Sequence, residues 1–156
     1  MDLGNLLFSF EGRINRGKFW LAVLIYVIAT IVVGVIAFVI PSDTLGTALN
    51  ALVSLFTFIS GIFVAIKRLH DRNRSGWWLL LFYIAPSVLF VIGGVMWMIG
   101  IAGDFSGLGG AAAVFMLAGT AVSIWAFVEL GCLRGTVGPN QYGPDPLEPK
   151  QIPVTP

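Results

Sequence analysis

Charge is scarce in this chain. Only 11% of its 156 residues are Asp, Glu, Lys or Arg, whereas 57% are hydrophobic. Soluble domains carry about 25% charged residues. A water-soluble fold of this size would leave much apolar surface exposed, and lipid as the outer solvent removes that problem. Cysteine occurs once, at Cys132, which excludes an intramolecular disulfide and any cysteine-based metal site. It reads as a small apolar residue near a helix end. Histidine also occurs once, as His70, so a histidine-rich metal site is excluded too. The net charge of +1 gives no global field to attract nucleic acid.

Four long apolar runs dominate what is there: about 19–40, 45–66, 77–101 and 108–133. At 1.5 Å per residue each reaches roughly 33–39 Å, enough for a hydrocarbon core about 30 Å thick. Strands are excluded, because an open sheet leaves backbone groups unpaired in lipid. The expectation is an all-α membrane protein, a four-transmembrane-helix bundle over residues 1–147, with 148–156 as a mobile tail. The first run is too long for a signal-peptide core and reads as an uncleaved span.

Orientation follows from Lys and Arg. Arg13, Arg16 and Lys18 precede the first span. Lys67, Arg68, Arg72 and Arg74 lie between the second and third, and Arg134 and Lys150 follow the fourth. The two remaining loops hold Asp43 and Asp104 and no basic residue. All nine basic residues therefore fall on one side. This places segments 1–18, 67–76 and 134–147, and both termini, in the cytoplasm. Trp20, Trp77 and Trp78 fit that interface, and Trp97 the opposite one. Pro86 should kink the third span, since its ring crowds the Phe82 carbonyl. Ser54, Thr57, Gly61 and Ala65 in span two, and Ala112, Gly119 and Ser123 in span four, offer packing faces. Leu3, Leu7, Phe10 and Ile14 repeat at helical spacing and suggest a short helix on the leaflet. Asn15 is placed to cap span one, and Ser75 to cap span three.

The candidate chemistry is sparse. Residues 12–18 match seven places of a phosphate-binding loop, but Phe19 stands where Ser or Thr should bind Mg²⁺, and no strand precedes it. The basic residues there serve orientation instead. Asn73-Arg74-Ser75 fits a glycosylation pattern on the side where no glycan is expected. His70 beside Asp71 suggests proton handling, against the plainer reading of a polar helix end. Asp71 is spaced to pair with Arg68 or Lys67 if the helix continues past the membrane. Glu129 is the one ionisable residue within a span, by default a functional candidate. It lies about 7 Å along the axis from Arg134, and pairing with an interfacial basic residue is the plainer role. The stretch 138–146 is dense in Gly and Pro with Asn140, Tyr142 and Asp145 interleaved, which reads as an ordered loop. No catalytic set and no cofactor fingerprint can be assembled.

Three segments together resemble the DUF805 family of small bacterial inner-membrane proteins of unknown function. They are Phe10-Glu11-Gly12-Arg13-Ile14-Asn15-Arg16-Gly17-Lys18-Phe19-Trp20, the stretch from Arg68 to Trp78, and that from Gly138 to Pro146. The Leu-His-Asp and Ser-Gly-Trp-Trp elements are the most specific. The resemblance implies a four-span bundle in a bacterial inner membrane and implies no activity. Asn15 and Lys18 replace a Ser-to-Glu capping box common in that family, leaving a simple Asn cap. Lys67 stands for a usual Arg, which keeps charge but not the planar fork.

All three segments fall on the cytoplasmic side. The leading expectation is a binding or scaffolding role through a cytoplasmic cap of Arg13, Arg16, Arg68, His70, Asp71, Arg72, Arg74, Ser75, Asn140, Tyr142 and Asp145. Its arginines would meet anionic lipid or a protein partner. The alternative is a small transporter or channel using Glu129 and His70. A membrane-embedded enzyme with His70 and Asp71 as acid and base ranks third. An open polar pocket among these residues would mark a site, and a closed, fully paired cluster would mark structure.

Overall fold

A computed structural model describes residues 3–40, 42–103 and 106–148. Asp104, Lys150 and the expected tail from residue 149 onward lie outside them. Helix α1 covers Leu3–Phe8, α2 Arg16–Val39, α3 Asp43–Asp71, α4 Ala85–Ala102 and α5 Ser106–Phe127. A π-helical turn, Leu80–Ile84, leads into α4, and another, Val128–Cys132, follows α5. Among the described residues there is no strand, apart from a single bridge between Asn140 and Gly143. Four helices are long and apolar enough to cross a membrane: Arg16–Val39, Asp43–Asp71, Leu80–Ala102 and Gly107–Cys132. Their outward faces are apolar, with Phe38, Val91, Met98 and Leu117 all largely exposed. Several of the most buried side chains are polar, namely Ser60, Lys67, Arg68, Asp71 and Glu129. That inversion of the soluble pattern suits a lipid solvent, where polar groups must find partners inside the protein.

The chain forms two compact units, Met1–Gly76 with Arg134–Pro156, and Trp77–Leu133. In the first, α1 packs on α3, and Leu6, Leu7, Ile14, Ala22 and Val64 make a core against Phe19 and Tyr26. The buried face of α1 differs from the expected one. Leu3 and Phe10 are exposed, and the helix stops at Phe8. The cause is polar. A six-residue helix leaves its last carbonyls without intrahelical partners, and α3 supplies them. Lys67 Nζ donates to the carbonyls of Asn5 and Leu6, both at 2.6 Å. Ser60 Oγ donates to that of Leu7 at 2.7 Å and also bonds the Tyr26 hydroxyl. A cation at a helix C-terminus is favoured by the helix dipole as well.

The same contacts revise the packing face of α3. It runs through Ser60, Val64, Ala65, Arg68 and Asp71, all buried. Ser54 is exposed, and Gly61 has open space around it. The helix continues five residues beyond the apolar run because Lys67 to Asp71 are held by these partners.

In the second unit, glycine brings α4 and α5 together. A Cβ on Gly93 would lie 3.0 Å from Met116 Cγ and 3.1 Å from the Ala112 carbonyl, and one on Gly119 would meet the Phe90 ring at 3.2 Å. Ala112 and Gly119 thus belong to the packing face, whereas the Ser123 hydroxyl turns back to the Gly119 carbonyl. The disturbance expected at Pro86 takes the form of the π turn just before it. The Ala85 N–H donates to Leu80, five residues back, widening the helix where proline would crowd it. Trp78, Phe82 and Trp125 make edge-to-face and tilted ring contacts at 5.3–5.9 Å.

Gly93→Leu should therefore destabilise the α4–α5 pair by about 1–3 kcal/mol through overpacking. Gly94→Leu, where a Cβ meets nothing within 4 Å, should be tolerated. Thermal unfolding of the two variants in the same detergent checks the contrast.

Candidate functional site

The end of α3 is sharply defined. Arg72 caps it, Asn73 adopts the left-handed conformation with φ 55°, and two bonds close the turn. The Asn73 N–H donates to His70 and the Arg74 N–H to Leu69, at 3.0 and 2.9 Å. This is the Schellman arrangement with Asn in place of Gly. It fixes where Arg68, His70 and Asp71 point.

Asp71 is the centre of what gathers there. Its Oδ1 accepts from Arg13 Nε and Nη2, both at 3.2 Å, and its Oδ2 accepts from Arg68 Nη1. All three side chains are buried. Arg13 comes from the segment before α2, where Gly12 at φ 84° turns the chain and Ile14 is fully buried. A guanidinium has five N–H donors, and the remaining three of Arg13 go to the final segment. Nη1 donates to the carbonyls of Gly138 and Gly143 at 2.8 and 3.2 Å, and Nη2 to Thr136 O at 2.6 Å. One arginine thereby ties the N-terminal segment, the end of α3 and the last loop together.

The last loop is held by further bonds. The Thr136 N–H donates to the Asp71 carbonyl at 2.8 Å, and its hydroxyl accepts from Asn140 Nδ2 at 2.9 Å. Asn140 Nδ2 also reaches the His70 carbonyl, and its Oδ1 accepts from the Tyr142 N–H. The Tyr142 ring stacks flat on the His70 imidazole, with centroids 3.8 Å apart, while His70 Nδ1 lies 3.3 Å from the Gly12 carbonyl. Asp145 accepts from the N–H groups of Leu147 and Gly138, which hold its carboxyl below the usual carboxylate range. Gly135 passes so close to Asp71 that a Cβ there would collide with the carboxylate. Among the described residues no buried side-chain nitrogen or oxygen lacks a partner.

The structure brings Arg13, Arg68, His70, Asp71, Asn140, Tyr142 and Asp145 of the sequence-predicted residues into one bonded group. It places the others differently. Arg72 donates to the Arg134 carbonyl at the rim. Arg74 enters through its backbone N–H and is half-buried. Ser75 makes no cap, because regular helix resumes only at Trp78. Within the loop-like residues 12–18, Asn15 caps α2 by accepting from the Lys18 N–H at 2.9 Å. Glu129 is buried in the other unit, within the π turn Val128–Cys132. Among the described residues no three His, Cys, Asp or Glu gather to hold a metal.

Sequence reasoning missed Gly135, Thr136, the capping role of Lys67, and an open recess beside the cluster. The recess has a volume of about 270 Å³ and is lined by Asn15, Arg16, Asp71, Arg134, Gly135, Thr136 and residues 145–147. The one available signal was the Arg134-Gly135-Thr136 run, a small flexible residue flanked by polar ones at the end of an apolar stretch.

Removing one partner of a buried ion pair costs about 3–5 kcal/mol. Asp71→Ala should lose that much and strand two guanidiniums, and Gly135→Ala should lose several kcal/mol by displacing the same carboxylate. Glu148→Gln, on an exposed residue, should stay within about 0.5 kcal/mol. Chemical unfolding in detergent ranks the three. The loop also carries a pH signature. A carboxyl with a depressed folded pKa contributes fully above its unfolded value, about 3.9, and its contribution is lost as pH falls through the lower folded value. The amide resonances of Gly138 and Leu147 should hold steady from pH 7 to about 5, then move below the ordinary Asp range. In Asp145→Asn that late movement should vanish.

Comparison with known proteins gives the chain its relatives. The family model described as "Protein of unknown function (DUF805)" matches residues 7–144. The chain is similar to the uncharacterized protein YiiR of Escherichia coli K12, 34% identical over 152 residues, covering 96% of this chain and 94% of the relative. Inner membrane protein YhaI of the same strain is 31% identical over 138 residues, 88% of this chain and 86% of its own length. Inner membrane protein YhaH is 29% identical over 144 residues, 90% of each. No solved structure matches. The matched span runs from the core of α1 through the Asp71 cluster to the loop that closes on it, and the chain belongs to the DUF805 family.

Proposed function

We propose that this protein is an integral inner-membrane binding protein whose basic, cytoplasmic end holds anionic lipid. The four membrane-length helices and the names of YhaH and YhaI support the location. The one-sided distribution of Lys and Arg supports the orientation. The observation that carries the binding reading is a division of labour among the arginines. Arg13 and Arg68 are buried with Asp71 and stiffen the end of the helices. Arg16 and Arg134 are exposed, and Arg72 and Arg74 half-buried, around that rigid mount. Each basic residue near an anionic leaflet contributes about 1 kcal/mol, and a rigid mount lowers the ordering cost of using several at once.

A transporter built on Glu129 and His70 has less support. His70 is engaged on both sides, by the Tyr142 ring and the Gly12 carbonyl.

In nanodiscs mixing phosphatidylglycerol and phosphatidylcholine, native mass spectrometry should find phosphatidylglycerol retained preferentially. Replacing Arg16, Arg72, Arg74 and Arg134 with Gln together should abolish the preference while the fold stays intact. Equal retention of the two lipids by the unmodified protein would sink the lipid-binding reading.

A further inference from the structure

The segment before α2 runs along α3, and its contacts there are ordered by depth in the membrane. We infer that residues 3–13 form a re-entrant hairpin, dipping into the cytoplasmic leaflet and presenting Phe8 and Phe10 to lipid acyl chains. The inference goes beyond the lipid-binding reading, from which it takes only which leaflet is meant. It does not depend on lipid charge.

Helix α3 is the scale of depth. Its apolar run ends at Ile66, and each residue before that lies about 1.5 Å deeper along the axis. Near this boundary Lys67 Nζ takes the carbonyls of Asn5 and Leu6. Ser60, about 9 Å inside it, takes that of Leu7. The Phe8 ring meets Phe56 edge-on at 5.6 Å. Phe56 lies about 15 Å inside, near the middle of a core about 30 Å thick. The chain then turns back. Phe10 lies against Phe63 at 6.1 Å, roughly 5 Å inside the boundary. Gly12 and Arg13 reach His70 and Asp71, past the end of the run, and the Ile14 N–H donates to the Lys67 carbonyl. The partners along α3 are thus Lys67, Ser60, Phe56, Phe63, His70 and Asp71 in turn, a descent and a return.

A helix lying flat on the surface would have its last carbonyls paired by water. Within lipid they find no water. Ser60 and Lys67 supply the donors instead, and both are buried. Non-helical backbone is tolerated at such depth where protein covers it, and Leu6, Leu7 and Ile14 pack inward with Ala22 and Val64. The outer face of the hairpin is apolar and bare, with Phe8 60% and Phe10 57% exposed. It continues onto Phe56 and Ile59 of α3, one turn apart and also exposed. An apolar surface at this depth meets acyl chains. Glu11, also exposed, falls between Phe10 and Gly12, at the level where headgroups begin.

The test uses the unmodified protein in phosphatidylcholine nanodiscs, which separates it from any preference for anionic lipid. Two relaxation agents are compared by their broadening of backbone amide resonances. One is a phosphatidylcholine with a nitroxide near the end of its acyl chain, and the other is a gadolinium chelate in the water. Ile28, exposed at the middle of α2, and Val137, exposed in the last loop, give the two limits. The nitroxide lipid should broaden Phe8 about as strongly as Ile28, Phe10 less and Glu11 least, and gadolinium should give the reverse order. In Ser60→Ala/Lys67→Met, which removes both donors, Phe8 should lose its nitroxide broadening and gain that of gadolinium, while Ile28 and Val137 keep theirs. Phe8 broadened by gadolinium as strongly as Val137, or Phe8, Phe10 and Glu11 broadened alike, overturns the hairpin in favour of a surface helix. Phe8 reached by neither agent overturns the acyl-chain contact and gives the face to a protein partner. Phe8 unmoved in the double variant overturns the role of the two donors. The unmodified protein decides hairpin and lipid contact whether or not the variant folds.

Discussion

The Asp71 carboxylate, shared between the buried guanidiniums of Arg13 and Arg68, is the interaction on which the first unit is organised. Taking three charged groups out of water is expensive, and their attraction offsets that only when the remaining donors are also satisfied. Here they are. The other N–H groups of Arg13 reach three carbonyls of the last loop, and the Asp71 backbone carbonyl takes the Thr136 N–H. The consequence is topological. A segment that follows α5 is drawn back to residues that precede α2 and end α3. No run of apolar side chains in residues 134–147 accounts for that return, and the polar cluster does.

Lipid as the outer solvent makes such a cluster worth forming. Apolar burial between helices gains little when the surroundings are equally apolar, so close packing and polar satisfaction decide the contacts. The two units solve this differently. In Trp77–Leu133, Gly93 and Gly119 admit the neighbouring backbone and ring. In the first unit, Lys67 and Ser60 take the unpaired carbonyls of α1, turning a helix too short to persist alone into part of the core.

Local chemistry made a good part of this legible in advance. Four apolar runs longer than the hydrocarbon core specify four helices, because lipid offers the backbone no other partner. Asn15 announces the start of α2, as its side chain can accept what the first turn cannot pair. The grouping of Arg13, Arg68, His70, Asp71, Asn140 and Tyr142 could be suspected from charge and turn chemistry falling on one side. Tertiary structure alone decided the rest, since each remaining feature depends on residues distant in the chain. Leu6 and Leu7 face inward rather than Leu3 and Phe10 because Lys67 and Ser60, some fifty to sixty positions later, hold the carbonyls beside them. Gly135 must be glycine because Asp71 occupies the space of its Cβ, and no neighbour in sequence says so. Arg13 and Arg16 look alike as basic residues before a span. One is buried against a carboxylate and the other stands at an open recess, because only the folded chain brings Asp71 to the first and leaves the second in reach of solvent.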